Sequence, residues 1–388
     1  MVHLEFDPRL EKGTRPMKPR RILVITPTGR NIGGAEIMLG QFLSSAMIEG
    51  LDVHVVFLEG GDHFEEIKNA GHSCELVWAG RLRQPLKWLR ATSVVGRALK
   101  KFKPDLIIGW QSKAVAYAGI PARLAGVPFF CFHRGNPGSS FIDHIGHVLP
   151  CNGYLANSSF TAGKLAAHTK RPISIIHSSV DFKRFDPLLM TESAELKARF
   201  GFDPGQPLVG IVGRLQRWKG IHIFAKAITQ VRKSHPHCQS VIVGGSHGLE
   251  PDYVEYLEKY FSSKSMSGHP RMVGTQKNVH EWMQAMDVIV HASDQEPFGI
   301  VVIEAMSLGK PVVASIPGGP AEVIEHGVSG LLVPHGDEEA LAAAIGRFLK
   351  DSDFAAKCGQ RARQCALKYD GANYAGRIIK AIDELRAD

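Results

Sequence analysis

At 388 residues the chain exceeds what one hydrophobic core organises, and its 44% hydrophobic and 22% charged content excludes a disordered or fibrous polymer. No apolar run reaches the roughly 20 residues of a membrane-spanning helix, so the composition predicts a soluble protein of about two domains. The formal net charge of +8 is uneven: residues 1–190 carry 24 Lys and Arg against 15 Asp and Glu, and the remainder is close to neutral.

The first 20 residues hold Arg9, Lys12, Arg15, Lys18 and Arg20 but no apolar h-region, and read as a basic extension, not a secretory signal. The six cysteines, Cys74, Cys131, Cys151, Cys238, Cys358 and Cys365, are scattered without a C-x-x-C pair or a Cys/His cluster at zinc spacing. That pattern fits a reducing cytoplasm.

From residue 21 short β-branched runs alternate with helical lengths, the pattern of βαβ units and a parallel sheet. The first series predicts strands over 21–26, 53–58, 74–78, 105–110, 128–132, 154–156 and 173–177. Within it, Arg81, Arg83, Lys87, Arg90, Arg97, Lys100, Lys101 and Lys103 fall in one stretch without an acid, interleaved with Leu82, Leu86, Trp88, Leu89 and Val95. The stretch reads as a basic amphipathic helix or helix pair, either a solvated face or a surface for anionic lipid.

The second series predicts strands over 208–212, 240–243, 271–273, 288–291, 311–315 and 330–333. The segment between the two series places a junction near Asp186, so the expected domains are 21–186 and 187–368. A final helix over 369–388 carries Ile378, Ile379, Ile382 and Leu385 on one side and is expected to pack back on the N-terminal domain. Two Rossmann-like doubly wound sheets would face one another across a central cleft, where such folds bind ligands.

Four segments carry chemistry. In 296–304, Pro297 and Gly299 turn sharply into a helix, leaving the amides of Phe298, Gly299 and Ile300 as open donors for a phosphate. Glu304 sits in that otherwise apolar helix, where a carboxylate is costly to bury without a hydrogen-bond partner. That partner is either a neighbouring backbone group or a ligand hydroxyl. Glu296 precedes the helix on a polar loop. After the strand 208–212, Arg214 and Lys219 emerge between Gly213 and Gly220, where a guanidinium fork and a point charge together neutralise a diphosphate.

Gly33-Gly34-Ala35-Glu36 follows the first strand and lets backbone approach a ligand closely, although it is not a G-x-G-x-x-G fingerprint. His133 follows the strand 128–132 and is expected to point toward the cleft in either a structural or a catalytic role. Asp351-Ser-Asp353 has a metal-like D-x-D spacing but lies between two helices, where Asp is a routine N-cap, so no metal is expected.

Taken together these segments resemble the retaining family 4 glycosyltransferases of GT-B fold, from about residue 21 to residue 368. The likeness rests on the E-x7-E pair Glu296 and Glu304 around Phe298-Gly299-Ile300, on Gly33-Gly34, on Gly213-Arg214 with Lys219-Gly220, on Gly274 before Val279, on Asp287-Val288 and on Gly318-Gly319-Pro320-Ala321-Glu322. It implies a hexosyltransferase that moves a sugar from a nucleotide-sugar donor, such as a UDP- or GDP-sugar, to a glycan, glycolipid or other hydroxyl acceptor, without a cofactor or metal.

By the same resemblance Arg214 and Lys219 hold the donor diphosphate and Glu304 the ribose. Glu296 and the amides of Phe298, Gly299 and Ile300 hold the sugar and its phosphate, Gln276 and Val279 flank the base, and His133 touches the sugar. One departure stands at the junction, where the family's Asn-Gly-Val-Asp turn is replaced by His177-Ser-Ser-Val-Asp181. A nucleotide-sugar epimerase of the same fold is the alternative reading, and nucleic-acid binding has no motif behind it. The expected location is the cytoplasm or the inner face of the cell membrane, with the Arg81–Lys103 face meeting anionic lipid.

Overall fold

The computed structural model describes residues 20–30, 33–79, 84–137, 146, 148–246, 248–262 and 270–387. Seven strands form the first sheet: β1 Arg21–Thr26, β2 Asp52–Phe57, β3 Cys74–Leu76, β4 Leu106–Gly109, β5 Phe129–His133, β6 Gly153–Ala156 and β7 Ile173–Ile175. Six form the second: β8 Leu208–Val212, β9 Gln239–Val243, β10 Arg271–Met272, β11 Val288–His291, β12 Val312–Ile316 and β13 Leu331–Pro334. Each predicted strand has a counterpart, with ends shifted by up to two residues.

The strand orders are β3-β2-β1-β4-β5-β6-β7 and β10-β9-β8-β11-β12-β13, and every described pairing is parallel. Ile22, Leu23, Val24 and Ile25 are all wholly buried, as are Val209, Ile289 and Val290. Continuous apolar runs are what a sheet covered by helices on both faces requires. In each sheet the order reverses at its centre, between β1 and β4 and between β8 and β11. A crevice opens at the carboxyl ends of such strands.

The chain crosses between the sheets twice at one place. Val180 N–H donates to Tyr369 O at 2.9 Å and Gly371 N–H to Val180 O at 3.1 Å. After this crossing the helix Tyr374–Ala387 returns to the first domain, and Tyr374, Ala375, Ile378 and Ile382 are buried there with Met38, Phe42 and Trp110. The helix Ser193–Arg199 packs against the helix Val279–Ala285 of the second domain, and Lys197 reaches Asp287 at 2.6 Å.

Among the described residues the basic stretch forms one helix, Pro85–Phe102. Ala91, Val95, Ala98 and Leu99 are buried against the sheet, whereas Lys87, Arg90, Arg97, Lys100 and Lys101 are exposed. Arg81 and Arg83 lie outside the described residues, as do residues 1–19 with their four basic side chains. Asp351 accepts Phe354 N–H at 2.9 Å as the N-cap of the helix Ser352–Ala366.

Candidate active site

The loops at the two switch points face one another across a cleft of about 930 Å³. His133, Arg214, Lys219, Glu296, Glu304, Gly33, Gly34, Gln276, Val279, Phe298, Gly299 and Ile300 all line it, so the structure brings these candidate residues to one place.

The centre is the turn between β11 and the helix Ile300–Ser307. Gly299 takes φ 93°, a left-handed conformation that favours glycine, and starts the helix abruptly. No backbone hydrogen bond from the amides of Phe298, Gly299 or Ile300 is formed among the described residues, leaving an open helix N-terminus on the cleft wall. Opposite lies Gly34, whose absent side chain matters: a Cβ there would stand 2.6 Å from Ile300 Cδ1 of the other domain. Glu36 folds this glycine turn back, since its carboxylate accepts Gly33 N–H at 3.0 Å and Gln111 Nε2–H at 3.2 Å.

Glu296 is 8% exposed, and its Oε2 lies 2.6 Å from Lys219 Nζ and 3.1 Å from His291 Nε2. Burial alone would raise its pKa, but Lys219 and then His291 outweigh burial and hold the carboxyl far below the usual range. The free site therefore differs from the expectation in one respect. Lys219 is engaged by Glu296 and also stands 4.0 Å over the Trp218 ring, so it serves the carboxylate before it serves any phosphate. Arg214 makes no salt bridge among the described residues and flanks Gly33, where a Cβ would lie 3.8 Å from its guanidinium carbon.

Glu304 behaves oppositely. It is 7% exposed, no hydrogen bond to its carboxylate is formed among the described residues, and burial pushes its pKa up to about 7 against the weaker pull of Arg184. Arg184 donates to Lys277 O at 2.6 Å, beside the loop of Gln276 and Val279, and Gln276 Nε2–H donates to Val273 O at 2.6 Å. His133, 4% exposed, meets Tyr154 edge-on at 5.4 Å.

Several residues of the site carry no local sequence signal. His291 closes an apolar strand, and only its position five residues before Glu296 ties it to the loop. The first domain also grips the turn directly: Ser158 Oγ–H donates to Pro297 O, and Asn136 Nδ2–H to Gln295 O at 2.7 Å. Glu322 accepts the amides of Ser159 and Phe160 at 2.9 and 2.8 Å, and its carboxylate lies 3.2 Å from His177 Nε2. Burial would raise Glu322, yet the His177 ring and those amides hold it down at about 2. His177, which precedes the Ser178-Ser179 pair standing where the family has Asn-Gly, stacks on Phe298 at 5.5 Å.

Two family models divide the chain: "Glycosyltransferase Family 4" matches residues 32–184 and "Glycosyl transferases group 1" residues 192–365. Together the two matches span most of the chain, and with the two parallel sheets they support a resemblance to the family 4 glycosyltransferases of GT-B fold. The lipopolysaccharide core biosynthesis mannosyltransferase LpsB of Rhizobium meliloti is 28% identical over 193 residues, 49% of this chain and 54% of that protein. A D-inositol 3-phosphate glycosyltransferase of Corynebacterium urealyticum is 30% identical over 215 residues, 54% of this chain and 51% of that one. The chain thus spans about half the length of these curated relatives. The crystal structure of Anabaena HepE in complex with UDP and glucose superposes with a TM-score of 0.82 at 24% identity, over 93% of this chain and 99% of that one. That likeness concerns the fold.

The raised pKa of Glu304 has a measurable sign. The folded state holds this proton more tightly than the unfolded one, so the free protein loses stability as pH rises from about 4.5 to about 7 and no further above it. Glu304→Gln removes that loss. In urea denaturation without ligand the variant is expected to gain on the wild type between pH 5 and pH 8, and an identical difference at both pH values would contradict the assignment.

Proposed function

We propose that the chain is a retaining, metal-independent glycosyltransferase that moves a sugar from a nucleotide-sugar donor to a hydroxyl of a glycan or lipid-linked acceptor. One observation carries the reading: an open helix N-terminus, the two cations Arg214 and Lys219, and the unpartnered carboxylate of Glu304 converge on one interdomain cleft. The first two suit a diphosphate, and the third suits ribose hydroxyls. The names of the relatives support the same reading, since one is named for lipopolysaccharide core biosynthesis, one for an inositol phosphate, and a structural neighbour holds UDP and glucose.

The chemistry follows from charge. As the bond from the anomeric carbon to the diphosphate oxygen breaks, negative charge grows on the phosphate, and the amides of Phe298, Gly299 and Ile300 with Arg214 and Lys219 stabilise it. The acceptor oxygen bonds to the same face of that carbon, and its proton passes to the departing phosphate oxygen. This route needs positioning and leaving-group stabilisation, with no carboxylate nucleophile. Glu296, held ionised, orients sugar hydroxyls, and His133 lies at the sugar end of the cleft. In the free site Lys219 balances Glu296, so donor binding draws the ammonium into a three-way contact with carboxylate and phosphate. Asp351 is an N-cap, and the cations supply the positive charge that a divalent ion would otherwise bring.

The acceptor side is proposed to work at an anionic membrane surface on the cytoplasmic face. No helix among the described residues is long and apolar enough to cross a membrane. The helix Pro85–Phe102, however, exposes five cations together with Leu86 at 82% and Leu89 at 53%. Cations near an anionic lipid surface contribute about 1 kcal/mol each, and exposed leucines add burial in the headgroup region.

Two measurements test this reading. In a thermal-shift panel of UDP, GDP and ADP with their sugar conjugates, one nucleotide family is expected to stabilise the protein. Arg214→Ala, which breaks no salt bridge among the described residues, is expected to leave the free protein's Tm unchanged and to weaken that nucleotide roughly 10- to 100-fold. Turnover of its sugar conjugate should require an acceptor and persist in EDTA, whereas epimer formation without an acceptor would contradict transfer. In sedimentation with liposomes, recovery should rise with anionic lipid and fall when Lys87, Arg90 and Arg97 are replaced by Gln. Equal recovery on neutral and anionic vesicles would exclude the membrane face.

A further inference from the structure

Burying a hydrogen-bonding atom without a partner is unfavourable, and native proteins keep few such atoms. Two of them stand on the first domain's side of the cleft. Asn157, 4% exposed, follows β6; its Nδ2–H donates to Arg134 O at 3.3 Å, while its Oδ1 is buried with no partner. That donation orients the amide, because the opposite flip would set oxygen against oxygen. Ser178, 1% exposed, follows β7, and its Oγ is likewise buried and unpartnered. Both residues line the cleft.

Their neighbours fix where on the cleft they lie. Ser158, next to Asn157, donates to Pro297 O, and His177, next to Ser178, stacks on Phe298. The two residues therefore line the cleft next, along the chain, to side chains that touch the turn whose amides and Glu296 are read as holding the transferred sugar. An amide oxygen accepts only, whereas a serine hydroxyl both donates and accepts. A pyranose presents vicinal hydroxyls, each able to donate and accept, and so matches both atoms.

We infer that Asn157 and Ser178 are specificity-determining residues that read hydroxyls of the transferred sugar, with Asn157 Oδ1 accepting from one hydroxyl and Ser178 Oγ bonding a hydroxyl of the same ring. This rests on the donor reading given above. A sugar that cannot place a hydroxyl at these atoms leaves them buried and unsatisfied, which is how a polar site rejects a close analogue far more strongly than an apolar one does. The free protein tolerates two unfilled atoms, and the correct sugar fills them. Neither residue touches the diphosphate in this account, so their effect falls on the sugar alone.

The test is isothermal titration of wild type, Asn157→Ala and Ser178→Ala with UDP, UDP-glucose, UDP-galactose, UDP-N-acetylglucosamine, GDP and GDP-mannose. The wild type is expected to bind one sugar conjugate more tightly than its parent diphosphate. Each variant should bind the parent diphosphate as the wild type does and lose roughly 10-fold or more of the added affinity for that conjugate. Preference among the epimeric conjugates should shrink with it. Ser178→Ala removes an unpartnered atom and keeps the fold, so a folding defect in Asn157→Ala leaves the test intact. If both variants retain the wild-type gain and ranking, this proposal is overturned while the donor site stands. If the wild type binds no diphosphate and no conjugate, the donor reading falls and takes the proposal with it.

Discussion

A carboxylate at 8% exposure stays ionised only beside a cation, and the pairing of Glu296 with Lys219 is the contact around which the cleft is arranged. It joins the loop after β8 to the loop after β11, two segments that form no other ion pair with each other among the described residues. With Glu296 so held, the chain must turn at Pro297 and Gly299, and the helix Ile300–Ser307 opens its amides on the cleft. Removing one partner of such a buried pair costs about 3–5 kcal/mol, because the other charge is left without compensation. The constraint is therefore structural before it is catalytic, and donor binding builds on a charge balance already present.

The two carboxylates of the same segment show how environment assigns roles. Glu296, beside an ammonium and an imidazole, is kept charged; Glu304, farther along in the apolar helix that follows, is pushed toward neutrality at about pH 7. A group poised in this way gains a hydrogen-bond partner at little desolvation cost, since that cost is already present in the free protein. The first domain adds rigidity from the other side. Ser158 holds Pro297, Glu322 caps the helix Ser159–Ala166 from across the cleft, and His177 lies flat on Phe298. The turn is thus gripped by both domains, so domain movement and the aim of its amides are coupled.

Much of this was legible in the sequence, for identifiable reasons. Parallel strands buried on both faces read as unbroken apolar runs, so Arg21–Thr26, Leu208–Val212 and Val288–His291 stood out with the ends observed. Residues at the carboxyl ends of such strands, Arg214 and Glu296 among them, could be placed on the cleft from chain order alone. Contacts between distant segments could not. Lys219 and Glu296 are 77 residues apart, and their pairing in the free site appears only when the two loops are brought together. His291 looked like the end of an apolar strand, Asn157 was not singled out, and Ser178 stood out only within the departure from the family's turn. Glu322 was visible within a glycine-rich loop, yet its role as a cap for a helix of the other domain depends wholly on the domain interface. The basic stretch was read correctly as amphipathic, but periodicity did not separate one helix from two.

The most direct test of the account is a crystal structure with the nucleoside diphosphate that the protein binds most tightly. The account predicts the terminal phosphate on the amides of Phe298, Gly299 and Ile300, with Lys219 and Arg214 in contact with the diphosphate and the ribose hydroxyls on Glu304. A nucleotide whose phosphates lie away from this turn, with Lys219 still paired to Glu296 alone, would contradict it.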